Sequence, residues 1–367
     1  MKIGIDTLGC EHSQSGQGAY LLNFISNLPS NTELSFELFG LEVDRYIYTS
    51  EKPLEYNSVN VKDSIKALRK WHRRPAKKFY QKNKYDAVIY PAVEKVLPVR
   101  FKTPGIAVVN CVVSVVYEKY KRRQRKYLRK GLSRVQKIVA GSDYIKQDLI
   151  NNGFDSNKIF VVHNGIDHKL FFPEIGLDTD FIDIKPFAIK RPYFIYGSKL
   201  SDADKKHEQL IKAFTLFKQR TDYPHKLVIC GSEGKYSDIV KEIAYKSDYA
   251  SDILITGYFP HDSFSKLYAG ATACVFPAIN EGAGLPIIEA MASGIPVLSS
   301  DSGALKEIGG TVPLYFDSDN VDEIADLLQK IVEDEDLYRR KVSEGLEWSR
   351  YFNWEDTVDQ TLKLIVQ

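Results

Sequence analysis

Short apolar runs alternating with stretches of helical period constrain this chain more than any other feature. In the first half the runs are Lys2–Asp6, Leu34–Phe39, Ala87–Tyr90, Gly105–Val109, Lys137–Ala140 and Ile159–Val162, with helical patterns over Gly18–Leu28, Tyr120–Leu132 and Tyr144–Asn152. The rhythm restarts with Tyr193–Tyr196, Lys226–Cys230, Ile253–Thr256, Ala273–Phe276 and Pro296–Leu298 as strands. Between these, Glu208–Gln219, Tyr236–Ser247, Phe264–Ala269 and Ile287–Ala292 read as helices. Strands and helices in strict alternation argue for parallel α/β sheets. Residues 168–191 break the pattern with prolines and little periodicity, which predicts a linker or hinge.

The 367 residues suffice for two domains of ordinary size. At 44% hydrophobic and 27% charged, the composition is that of a globular protein in water. The start, Met1 to Asp6, reads as a first strand, not a signal peptide. The longest apolar run, Ile106 to Tyr117, is too short to span a membrane. Cys10, Cys111, Cys230 and Cys274 are too scattered for a zinc site or a secreted disulfide framework, so buried, reduced thiols in a cytoplasm are expected. The net charge of +2 hides a division. Residues 1–170 carry 29 Lys+Arg against 16 Asp+Glu, a balance of +13, while the remainder carries 21 against 32, a balance of −11. Halves of opposite sign imply units with different partners.

The segment from Pro277 to Val297 places Glu281 and Glu289 eight positions apart, with Gly282, Ala283, Gly284 and a helix start between them. The glycines permit close approach of backbone to a ligand, and Pro286 suits a first helical turn. The amides around 283–287 would then face an electron-rich ligand at a helix N-terminus. A helix start decorated with acids that favour its dipole is the plainer alternative. The pattern resembles the Glu-x7-Glu signature of retaining glycosyltransferases of the GT-B fold, family 4 type, and Gly284 to Asp301 follows that group's usual text. The resemblance extends to Val139–Tyr144, to Val161–Asp167 and to Tyr351–Glu355.

What the resemblance implies is an α/β architecture of two Rossmann-like doubly wound domains facing across a cleft. The N-terminal acceptor-binding domain would span 1–170, with the C-terminal helix, about 350–367, packing back on it, and the nucleotide-sugar-binding domain would span 171–349. Glu281 and the backbone of Gly282, Ala283, Gly284 and Leu285 would hold the donor sugar, and Glu289 the ribose. The family's diphosphate-gripping Arg falls on Ser198 here, so Lys199 beside it is the substitute, although an ammonium lacks the guanidinium fork. Lys205 or Lys206 would take the second role, with Lys205 better spaced. A solvated charge cluster explains the same lysines. In the loop Ser13-Gln14-Ser15-Gly16-Gln17-Gly18, Gly16 would bring amides to the donor, and a simple strand-to-helix turn explains it equally well. Asn110 and Cys111 stand where many relatives have a His-Asp pair, and Asn cannot act as an acid or base. Asn164, Gly165 and Asp167 suit the interdomain connection, and Glu307 a packing or hinge role.

Glu118 to Lys137 contains ten Lys/Arg and one acid, and a second cluster surrounds Trp71, which reads as exposed. An anionic membrane surface met through Lys119–Arg134 is one expectation, with a solvated helix face as the alternative. No nucleic-acid recognition module is present. The combined expectation is a retaining, metal-independent hexosyltransferase of polysaccharide biosynthesis, cytoplasmic or peripheral at the inner membrane face. It would need no cofactor, and would move a sugar from a nucleotide diphosphate donor to a glycan or lipid-linked acceptor. The alternative is a glycosyltransferase-like binding or partner subunit without turnover, motivated by Ser198, Asn110 and Cys111.

Overall fold

The apolar runs become strands of two parallel sheets. In the computed structural model, which describes every residue except Gln14, Asn31, Thr32, 175–178 and Gln367, the chain forms two compact units. One comprises Met1–Gly165 with Trp354–Gln367, and the other Ile166–Asn353.

The first unit holds β1 (Lys2–Asp6), β2 (Ser35–Gly40), β3 (Glu55–Ser58), β4 (Ala87–Tyr90), β5 (Gly105–Val109), β6 (Lys137–Ala140) and β7 (Ile159–Val161). They pair in the order β3-β2-β1-β4-β5-β6-β7, all parallel. Residues β4 to β6 are buried on both faces, which is why they read as unbroken apolar runs rather than as alternation. Alternate residues serve two cores. Val88, Tyr90, Ala107, Val109, Ile138 and Ala140 face one, and Ile89, Ile106, Val108 and Val139 face the other. The C-terminal helix Trp354–Val366 covers the second core with Trp354, Val358 and Leu362, and Trp354 meets the Tyr20 ring edge-on at 5.4 Å.

The second unit begins with a hairpin, β8 (Phe181–Ile184) and β9 (Phe187–Lys190), which are antiparallel. It continues with β10 (Tyr193–Gly197), β11 (Lys226–Cys230), β12 (Ile253–Gly257), β13 (Ala273–Phe276), β14 (Val297–Ser300) and β15 (Leu314–Phe316). The order is β12-β11-β10-β13-β14-β15, again parallel throughout. In each sheet the chain winds outward from its first strand and then crosses back, so the order reverses between β1 and β4 and between β10 and β13. Ligands bind beyond the carboxyl ends of the strands at such points.

Two readings need correction. Residues 168–191 are not a bare linker, because Phe181–Lys190 forms the hairpin, whose alternating burial was masked by Pro186. The expected linker also includes 175–178, which lie outside the described residues. Trp71 is 8% exposed, packed among Phe39, Phe79 and Tyr80, so it presents no surface to a membrane. It sits on the inward face of the helix Ile65–Arg73 while Lys70 and Arg73 project outward. Within the basic segment, Arg125 donates to the Tyr120 carbonyl and Arg134 to that of Val99. Among the described residues no helix is long and apolar enough to cross a membrane.

Candidate active site in the second unit

Two loops meet where the second sheet reverses its order. One follows β10 and runs through Ser198 to Lys206; the other follows β13 and runs from Pro277 to Gly284. The Ile279 amide donates to the Asp204 carbonyl at 2.8 Å and Asn280 Nδ2 to Asp204 Oδ2 at 3.2 Å, which ties the loops together. Asn280 (φ 57°) and Gly284 (φ 60°) take the left-handed conformation that turns the second loop into a helix. Its carbonyls are satisfied from beneath: the Ser318 hydroxyl donates to Pro277 and that of Ser300 to Ala278, each at 2.6 Å. The backbone of Glu281 is fixed by the Ala304 amide, 2.9 Å from its carbonyl. Gly303 (φ 64°) presses against it so closely that a Cβ there would lie 2.6 Å from the Glu281 oxygen.

On this rigid base the Lys205 ammonium donates to Glu281 Oε2 at 3.0 Å. Both side chains are partly open, 25% and 20% exposed. Burial pulls Lys205 down, but Glu281, Asp202 and Asp204 outweigh it and hold the ammonium above its usual range. The helix Leu285–Ala292 starts immediately after Gly284, with Pro286 in its first turn and no side chain capping its start. That end carries the positive pole of the helix dipole. Glu289, buried at 7% exposure, lies one turn in, and its Oε1 accepts from His261 Nε2 at 2.9 Å. Burial lowers the His261 pKa, yet the Glu289 carboxylate raises it further, so the net shift is upward. The edge of the His261 ring meets Phe171 at 5.3 Å.

The remaining candidates divide. Lys206 (φ 53°) begins the helix His207–Arg220 and its ammonium donates to Asp319 at 2.6 Å, away from Glu281. Lys199 is exposed and has no ion pair among the described residues. The Ser198 amide donates to the Cys230 carbonyl at 2.7 Å, and its buried hydroxyl, beside the Tyr196 phenol, has no hydrogen-bond partner of normal geometry. Gly16 lies in the first unit, at the start of the helix Gly16–Ser26, with nothing near the place a Cβ would occupy. Gly18 is the sterically required glycine of that turn, since a Cβ there would lie 2.4 Å from the Cys10 carbonyl. Gln14 of the same loop lies outside the described residues.

Several residues of the site escaped the sequence reading. Asp204, Gly303 and His261 act through loop closure and long-range pairing that no local motif announces. His207 is wholly buried beside Lys205, neither ring nitrogen has a partner of normal geometry, and burial with the Lys205 charge pushes it down to about 4. In the first unit, Asn110 Oδ1 is buried without a partner, and burial together with Glu94 pushes the Cys111 thiol up. A His-Asp pair does occur in that unit, from other residues: His72 Nε2 lies 2.6 Å from Asp6 Oδ2 at the end of β1. Among the described residues no three His, Cys, Asp or Glu side chains converge as a metal site.

The family model for glycosyl transferases group 1 matches residues 179–348, which hold all of this second-unit site, and that for glycosyltransferase family 4 matches residues 40–170. The chain belongs to the group 1 glycosyltransferases. Their GT-B fold is the fold seen here. An O-antigen chain mannosyltransferase B of Escherichia coli is 24% identical over 81% of this chain and 78% of its own. A D-inositol 3-phosphate glycosyltransferase of Nocardioides is 25% identical over 61% of this chain and 52% of its own. Among solved structures, a sucrose-phosphate synthase from Thermosynechococcus elongatus superposes with a TM-score of 0.77 at 18% identity, covering 99% of this chain and 98% of that one. Anabaena HepE in complex with UDP and glucose gives 0.75 at 15% identity, covering 100% and 99%.

Proposed function

We propose that this glycosyltransferase moves a hexosyl unit, with retention and without a metal, from a nucleotide diphosphate sugar to a glycan or lipid-linked acceptor in polysaccharide synthesis. The observation that carries the proposal is the Lys205–Glu281 pair, held 3.0 Å apart at the switch point beside an uncapped helix start. Leaving-group departure puts charge on a diphosphate, which a fixed ammonium and a helix N-terminus can stabilise without reorganising. Lys205 serves the diphosphate, and Lys199, exposed in the loop that follows β10, is a second cation for it. Lys206, engaged by Asp319, contributes to the loop's geometry. Glu281 and the backbone of Gly282, Ala283, Gly284 and Leu285 accept from and donate to the sugar hydroxyls. Glu289 takes the ribose, its orientation set by His261. The leaving phosphate itself accepts the acceptor proton, so no acid or base is needed at Asn110 or Cys111.

The relatives named as mannosyltransferases make a mannosyl donor the first to test. A screen of UDP-, GDP- and ADP-sugars, read by mass spectrometry of the released nucleotide, should give turnover with one donor that persists in chelator. Strict metal dependence would remove the metal-independent step. The buried, neutral Ser198 hydroxyl where relatives carry a cation favours a second reading, a binding subunit without turnover. Donor binding by calorimetry with neither hydrolysis nor transfer would select it.

A further inference from the structure

The first unit contains a cavity of about 270 Å³ that the proposed reaction does not use. It opens where the helix Ile65–Arg73 gives way to the helix Pro75–Asn83, against the segment between β4 and β5. Arg73, Arg74 and Lys77 line it from the helices, and Arg100 and Lys102 from the facing segment. No carboxylate lines it, and among the described residues none of these five cations has an ion-pair partner. Exposed cations usually spread apart. Here Lys102 stands close enough to Lys77 to depress its pKa. The Asp6 carboxylate, hydrogen-bonded to His72 and the Leu8 amide, does not line the cavity, although its charge reaches the Tyr80 and Tyr90 phenols.

Two further features point to an anion of many oxygens. The helix Pro75–Asn83 has Pro at its start and no side-chain cap, and its first residues Ala76 and Lys77 line the cavity. They belong to the first turn, where amides have no intrahelical partner and the dipole's positive pole lies. The Tyr80 side chain, 6% exposed, also lines it, and the hydroxyl, with the Tyr90 phenol beside it, has no hydrogen-bond partner of normal geometry. A buried phenol held only by a poor contact with a second phenol is costly, and a phosphoryl oxygen that displaced that contact would satisfy it.

We infer that this cavity is a binding site for a phosphate or diphosphate group, separate from the nucleotide-sugar site of the second unit. Its volume suits a phosphorylated head, and is small for a whole nucleotide sugar. Guanidinium forks on either wall match phosphate oxygens in pairs.

The test is calorimetric titration of the full chain with inorganic pyrophosphate, alongside sedimentation with phosphatidylcholine vesicles with and without phosphatidic acid. Three variants accompany the parent: Lys77→Gln with Lys102→Gln, Tyr80→Phe, and Lys205→Gln. The double variant should weaken pyrophosphate or vesicle binding by about tenfold or more, and Tyr80→Phe severalfold with an unchanged Tm. Lys205→Gln, which strips the diphosphate ligand of the second unit, should leave this binding in place. Pyrophosphate binding without vesicle binding identifies a soluble phosphorylated ligand. Vesicle binding that requires phosphatidic acid and is competed by pyrophosphate identifies a lipid headgroup. Binding absent from both arms, or equal in the parent and the double variant, overturns the inference. Titration with nucleoside diphosphates reads the second-unit site separately, so the two proposals fail independently.

Discussion

At the residue scale, Glu281 and Lys205 make the sharpest claims. Glu281→Gln keeps the backbone contacts to Ala304 and Gly303 but removes the charge proposed to hold the sugar. It should lower kcat by about 10²–10³-fold, the range for losing one preorganised polar group at a reacting centre, with far-UV circular dichroism and Tm unchanged. Lys205→Ala should weaken nucleoside diphosphate binding by about 10–100-fold, as a charge-assisted hydrogen bond is lost. Histidines set two opposite pH responses. His207 and His225 are both pushed down to about 4 by burial. Unfolded, each protonates near 6.5, so unfolding takes up protons and stability falls as pH drops from 6.5 through 4. Replacing His207 with Phe should flatten that acid limb in urea titrations. The His261–Glu289 pair works the other way: with its pKa raised, His261 contributes stability fully present below 6.5 and lost as pH rises through its folded value. That side chain is 49% exposed, so the contribution is screened and small.

At the element scale, the site depends on the left-handed glycines Gly284 and Gly303 that shape its loops. Gly303→Ala would put a Cβ 2.6 Å from the Glu281 carbonyl at a left-handed φ. It should therefore lower kcat while donor-free stability drops by only about 1–3 kcal/mol, the cost of such backbone strain. In the first unit, Trp354→Ala should cost about 3–5 kcal/mol in urea unfolding, because it opens the core under the C-terminal helix. The buried strands were legible as apolar runs: Ala87–Tyr90, Gly105–Val109, Lys137–Ala140, Lys226–Cys230 and Ala273–Phe276 keep the bounds read from sequence. The misses share a cause. β3 (Glu55–Ser58) is a half-exposed edge strand of polar residues, and the helices Ile65–Arg73 and Pro75–Asn83 bury few positions beneath a lysine-rich surface. Trp71 was misjudged because flanking cations mark the outer helical face, not the position of every residue between them. The Glu281 to Glu289 segment was readable because glycine, proline and helix start all had to fall in order. His261 and Asp204 were not, being brought in by topology alone.

At the scale of the whole molecule, the strand order reverses twice, and each reversal gathers loops from distant sequence. In the second unit the gathered loops carry Lys205 and Glu281 and the helix that follows carries Glu289, and the charge division of the chain follows the units, with cations concentrated in the first. The central claim is that the second-unit loops grip a nucleotide diphosphate sugar at both ends. Its most direct measurement is calorimetric titration of the chain, Lys205→Ala and Glu289→Ala with the nucleoside diphosphate released by the productive donor, paired with transfer by Glu281→Gln. The expected result is tight binding to the parent, about 10-fold or more weaker binding to each of the first two variants, and transfer lost in the third. Parent-like affinity in both binding variants with undiminished transfer by Glu281→Gln would contradict it.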